Sequence, residues 1–197
     1  MSVPEELQST ISTQERWLKQ YYFLRALVSA AWVVATFTLG RQSSTAAAVL
    51  LVAYPAWDAV ANVLDASRSG GLARNPTQKL NAWVSGSTTL AVLAVLAALQ
   101  ASMNAVLAVF GAWAIGSGLL QLATAVRRWK THGAQWAMVL SGAQSALAGG
   151  FFIVQASMPA VPSIDNIAGY AAVGAIYFLV SALWLTVSHL RRKPAPR

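Results

Sequence analysis

The stretch Tyr54–Arg68, YPAWDAVANVLDASR, set beside Phe110–Thr124, FGAWAIGSGLLQLAT, decides the fold. Adding 56 to Tyr54, Ala56, Trp57 and Leu64 gives Phe110, Ala112, Trp113 and Leu120. The same offset carries Ser29 to Ser85 to Ser141, and Ala30 to Gly86 to Gly142. A third copy fits at an offset of 63, the loop around Pro159–Asp165 holding the seven extra residues. There Gly111, Ala112 and Leu120 map to Gly174, Ala175 and Leu183, and Arg128 and Lys130 map to Arg191 and Lys193. A period of this length in apolar sequence marks one supersecondary unit written several times. Here the unit is a helical hairpin, and it occurs three times.

The solvent for these hairpins follows from composition. The 197 residues are 56% hydrophobic and only 10% charged, against about 25% charged in ordinary soluble domains. Helices apolar all round are expected in a bilayer and not in water. Six apolar segments approach the roughly 20 residues needed to span: Gln20–Leu39, Ser44–Ala66, Leu80–Leu99, Ala105–Val126, Gln135–Gln155 and Ile167–His189. The fold class is therefore all-α, a polytopic membrane protein with six transmembrane helices as three parallel helical-hairpin repeats. The repeats run about 20–75, 76–131 and 132–193, inside a six-helix domain of residues 20–190. Because each repeat has two spans, all three insert in the same sense and can close into a pseudo-threefold ring, unlike inverted transporter repeats.

Residues 1–19 are read as an amphipathic interfacial segment, with Leu7, Ile11, Leu18 and Tyr21 at helical spacing and Pro4 in its first turn; a disordered tail is the alternative. Residues 191–197 form a basic tail. Between spans, Gly70–Gly71 and Asn75–Pro76 signal turns, and Ala101–Asn104 is a tight turn. Twelve of the fourteen Lys and Arg residues fall on one side of a six-span topology, with Arg41 alone, plus the acid Asp165, on the other. That bias predicts cytoplasmic N and C termini. It also accounts for the net charge of +8 without nucleic acid, and it makes anionic lipid headgroups the expected partners of the basic loops. A homo-oligomer is left open. The absence of cysteine excludes disulfides, thiolate nucleophiles and cysteine metal sites.

Small residues at four-residue spacing predict close packing of the fourth and fifth helices: Ala112–Gly116 and Ala114–Gly118 on one, Ser141–Ser145–Gly149 and Gly142–Ala146–Gly150 on the other. Gln121, Gln144 and Gln155 are expected to make interhelical hydrogen bonds. Trp17, Trp129 and Trp136 are expected as interfacial anchors.

Asp58 is the main chemical anomaly. It lies about 12 Å deep at 1.5 Å per residue, where an acid costs at least about 2.5 kcal/mol. Asn62 and Asp65 continue its stripe at i+4 and i+7, Asp65 being placed near the cytoplasmic interface. Arg25, about 7.5 Å inside the first helix, is the natural partner, and it is also able to snorkel. Arg25 maps to Asn81 and Asp58 to Ala114, so the pair belongs to the first repeat alone. Asp58, Asn62, Arg25 and Asp65 are the candidate intramembrane polar site. The alternatives are a structural ion pair, a proton or substrate site, or a contact with a lipid headgroup. His132 and His189 lack companions at ligand spacing, so no metal and no cofactor are expected. P-loop, zincin and nucleophile-elbow motifs are absent, so an enzyme is not expected; a two-metal lipid enzyme would need more acids than this chain supplies.

AWAIGSGLLQLATAVRRW, followed by a tight turn into QWAMVLSGAQSALAGGFFI, resembles the HdeD-type acid-resistance membrane proteins, and the last helix, YAAVGAIYFLVSALWLTVSHL, is similar to that family's last span. The resemblance is best over Asn104–Leu190. It implies a six-span protein of the bacterial inner membrane tied to acid tolerance, with no catalytic residues to transfer. The expected function is thus a non-enzymatic membrane protein of acid or stress tolerance responding to protonation of Asp58. The alternative is a small-molecule or proton transporter or channel with its polar site in the first hairpin.

Overall fold

The described residues form six long helices. The computed structural model describes residues 5–97, 102–130 and 135–192. The readings of Pro4, Ala101, His132, Lys193 and the rest of the tail lie outside the described residues. The elements are α1 (Glu5–Ala35), α2 (Ser44–Arg68), α3 (Pro76–Ala97), α4 (Met103–Arg128), α5 (Gln135–Ala156) and α6 (Ile164–Arg192). A π-turn, Thr36–Gly40, prolongs α1, and a single 3-10 turn, Leu72–Arg74, precedes α3. Among the described residues six helices are long and apolar enough to cross a membrane, and none forms a strand.

Ser43 and Ser102 cap α2 and α4 by accepting from the backbone N–H groups three residues on, at 3.2 and 3.3 Å. Gly70 and Gly71 take φ of 95° and 89°, which side chains resist, and end α2. Asn75 then ties the turn by donating to the carbonyls of Ser69 and Gly71 at 2.8 and 2.9 Å, and Pro76 begins α3. The Gly–Gly and Asn–Pro turn signals are both used.

One difference concerns the start of the chain. α1 runs without a break from Glu5 to Ala35, so the amphipathic segment and the first span are one helix. No Gly or Pro separates them, and nothing else in the sequence stops helical propagation there.

The helices close a ring in chain order, α1 lying against α6. The most closely packed pairs are α2 with α3, α4 with α5, and α6 with α1. Each joins the second helix of one repeat to the first of the next. The tight seams are therefore related by the repeat, while partners inside a hairpin are farther apart. At one end, the basic one, α2, α3 and α4 meet through Asp65, Gln78 and Arg128. At the other, Arg41 makes a bidentate ion pair with Asp165 at 2.9–3.1 Å. That hydrogen bonding holds the Arg41 pKa above its ordinary value.

Burial is inverted relative to a soluble protein. Leu27, Leu90, Val126 and Leu147 are exposed, whereas Asp58, Asn62, Asp65, Gln78, Asn81 and Ser85 are buried. A surface this apolar around a polar interior is stable only if hydrocarbon surrounds it.

Only part of the expected small-residue pattern makes the α4–α5 seam. A Cβ on Gly111 would lie 2.8 Å from the Gly149 carbonyl oxygen, and one on Gly118 would lie 2.6 Å from that of Gly142. Gly150 has open space, and Gly116 faces only Val84. The contacting glycines are seven residues apart on each helix, the spacing that keeps two helices in register along a seam.

Candidate functional site

The ring encloses a polar cavity displaced toward the basic end. At the opposite end an apolar cluster fills the bundle, including Trp32, Leu51, Leu107, Phe110, Phe152 and Ile167. Tyr54, Trp113 and Tyr170 border both regions, with Trp113 edge-on to Tyr54 at 5.6 Å and to Tyr170 at 6.4 Å. The cavity offers about 70 Å³ to the centres of water-sized molecules, room for roughly two waters at the ~30 Å³ that each takes in the liquid.

All four sequence-predicted site residues border this cavity. Arg25 donates through Nη2 to Asp58 Oδ1 and through Nη1 to the Tyr21 hydroxyl, 3.1 Å away. The Phe178 ring covers the guanidinium face at 4.3 Å, a cation–π contact. Asp58 Oδ2 accepts from Asn62 Nδ2 at 3.0 Å and from Ser85 Oγ at 2.7 Å. Ser85 Oγ in turn accepts from Trp113 Nε1 at 3.0 Å. Ser29, Ser85 and Ser141, equivalent in the repeat, are all buried, but it is Ser85 that bonds the acid.

Asp65 departs from expectation. It does not sit in the solvated interface but is buried, pairing with Arg128 at 2.9 Å and accepting from Gln78 Nε2 at 3.2 Å. Arg128, counted as a topology charge in the sequence, turns inward. The α4 stripe from Trp113 through Ser117, Gln121 and Thr124 carries it to the same face; following that stripe would have found it. Arg127, one residue back, donates instead to Gln78 Oε1 at 2.7 Å. Asn81 donates to Asn62 Oδ1 at 3.2 Å. Sequence reasoning used Asn81 only as the counterpart of Arg25 and passed over Gln78.

Gln121 makes its interhelical bond, to the Met138 carbonyl at 3.4 Å. The expected bonds of Gln144 and Gln155 are not made by their Oε1 atoms, which are buried with no partner among the described residues. Trp129 and Trp136 are exposed near the basic end, and Trp17 lies under the Arg68 guanidinium at 5.1 Å. Among the described residues no group of three or more His, Asp or Glu side chains comes together.

Six apolar spans around an interior of paired charges and amides define a multi-pass helical membrane protein with an intramembrane polar site. Residues 86–154 match the family model described as a short repeat of unknown function (DUF308), the repeat family of the HdeD-type membrane proteins. The matched stretch covers much of α3, all of α4 and most of α5. No curated protein and no solved structure matches the chain.

Proposed function

We propose that this is a non-enzymatic protein of the bacterial inner membrane that takes a small polar solute into the cavity of its helical ring from the cytoplasmic side. One observation carries the reading: the buried charges border a cavity instead of a dry core. A purely structural ion pair would be better served by close packing, since apolar residues of similar volume are often as stable as a buried pair. The cavity lies toward the basic end, which is the cytoplasmic end if the Lys and Arg bias sets the topology. The apolar cluster at the far end makes this a site occluded from the other side, the arrangement expected of a transporter in one of its states.

Saturation-transfer NMR on purified protein in nanodiscs tests this, using acetamide, urea, glycerol, glycine, acetate and guanidinium as probes. At least one should receive saturation, and Ser117→Leu, which fills the cavity, should abolish it. No transfer to any probe would overturn the binding reading. Topology is tested separately. The chain has no cysteine, so single cysteines at Ser69 and Gln42 can be labelled in cells with a membrane-impermeant maleimide. Gln42 should label from outside and Ser69 only after lysis.

A second reading, a role in acid tolerance, is supported by the DUF308 match and by two interior carboxylates paired with arginines. Protonating either would strand a buried guanidinium. Acid survival of a deletion strain, complemented with wild type or Asp58→Asn, measures it; equal rescue by both would exclude Asp58 as the responsive group.

A further inference from the structure

Resting on the binding reading above, we infer that the cavity's solute is a small uncharged molecule with both hydrogen-bond donors and acceptors, of the amide or polyol class, and not an ion. The charges on its walls are already satisfied by one another. Both oxygens of Asp58 are engaged, by Arg25 on one and by Asn62 and Ser85 on the other. Both terminal nitrogens of Arg25 are engaged, by Asp58 and Tyr21, and Phe178 covers its face. Asp65 is balanced by Arg128. An ion entering would lose its hydration and find no uncompensated opposite charge, a large cost.

What remains to a ligand is mixed and neutral in sum. Arg25 Nε, Asn81 Oδ1 and Ser117 Oγ are buried, belong to residues that line the cavity and have no protein partner among the described residues. Buried polar atoms of this kind are normally satisfied by water or a ligand. The repeat places them at one depth. Asn81 is the counterpart of Arg25, and Ser117 adjoins Gly118, the counterpart of the Asn62 that Asn81 bonds. This layer offers one donor from α1, one acceptor from α3 and a hydroxyl from α4 that serves as either. Asp65 Oδ1, an acceptor, lies toward the basic end, and Trp57 Nε1, a donor, toward the apolar end; both are likewise unpartnered. A molecule whose N–H or O–H groups reach Asn81 and Asp65 while an oxygen accepts from Arg25 or Ser117 partners three of these five atoms. The space is that of a few waters, which limits the solute to a small molecule.

The probe panel above separates the outcomes. Acetamide, urea or glycerol should receive saturation, with acetate, guanidinium and glycine at background. Ser117→Ala and Asn81→Leu should each weaken the uncharged probe by about fivefold or more, because a lost partner leaves a desolvated group unpaired. Asn81→Asp should add an unpaired carboxylate and bring in guanidinium. Each variant is checked for a monodisperse, wild-type elution profile, and Ser117→Ala deletes one hydroxyl only. Charged probes binding as well as neutral ones, or variants without effect on a bound neutral probe, would overturn the assignment of class and leave the binding reading standing. Silence from every probe would remove both and leave a cavity that holds only water.

Discussion

Asp58→Ala is expected to destabilise the folded protein by about 3–5 kcal/mol, the usual consequence of removing one member of a buried ion pair. The remaining Arg25 would keep its bond to Tyr21 and its place under Phe178 but would have no carboxylate partner of its own, Asp65 being paired with Arg128. Ser85 and Asn62 would lose their common acceptor as well. Arg25→Ala should cost a similar amount, since it strands the acid instead. The double variant should lose much less than the two single losses added together, because neither charge is then left behind. Unfolding midpoints in mild detergent, titrated with SDS, give the cycle. Additive losses would mean that the two side chains do not depend on each other, and the site would have to be redrawn. Asp58→Asn should be milder than Asp58→Ala, as it keeps acceptors for Ser85 and Asn62.

Which of these features were legible beforehand follows from the kind of signal each leaves. Spans are legible because hydrocarbon imposes a length and an apolar composition on any helix that crosses it. The Arg25–Asp58 pair is legible because an acid and a base at comparable depth in a bilayer have few other partners. The Asp65–Arg128 pair was hidden by position. Near a membrane boundary an arginine has two good destinations, headgroup or bundle, and the choice depends on about 100° of helical phase between Arg127 and Arg128. The seams were half legible. Small residues at four-residue spacing show that two helices approach, but several registers share that spacing. The register actually used, Gly111 and Gly118 against Gly149 and Gly142, is fixed by packing across the whole seam. The cavity left least trace. It is a property of how far apart ring-closing helices stand, and its lining residues are drawn from all six.

Gly149→Ala should destabilise the protein while Gly150→Ala, one residue away, should not. A methyl group at Gly149 would stand 2.5 Å from the Gly111 carbonyl oxygen and 2.7 Å from the Ile115 backbone nitrogen. Both are main-chain atoms of α4, which no rotamer change can move aside. The two helices must separate, and overpacking of this kind costs about 1–3 kcal/mol and occasionally more. In a bilayer the loss is felt directly, because van der Waals contact across the seam is much of what holds the helices together. A methyl at Gly150 meets nothing within 4 Å and gains helix propensity of up to about 1 kcal/mol. Gly118→Ala, facing the Gly142 carbonyl oxygen at 2.6 Å, should behave like Gly149→Ala. Thermal or SDS midpoints that fall equally for the adjacent pair would contradict this seam. The same displacement reaches the cavity, because Ser117 on α4 and Ser145 on α5 both line it. Gly149→Ala should therefore also weaken binding of a solute that bonds Ser117, and Gly150→Ala should leave that binding as it is.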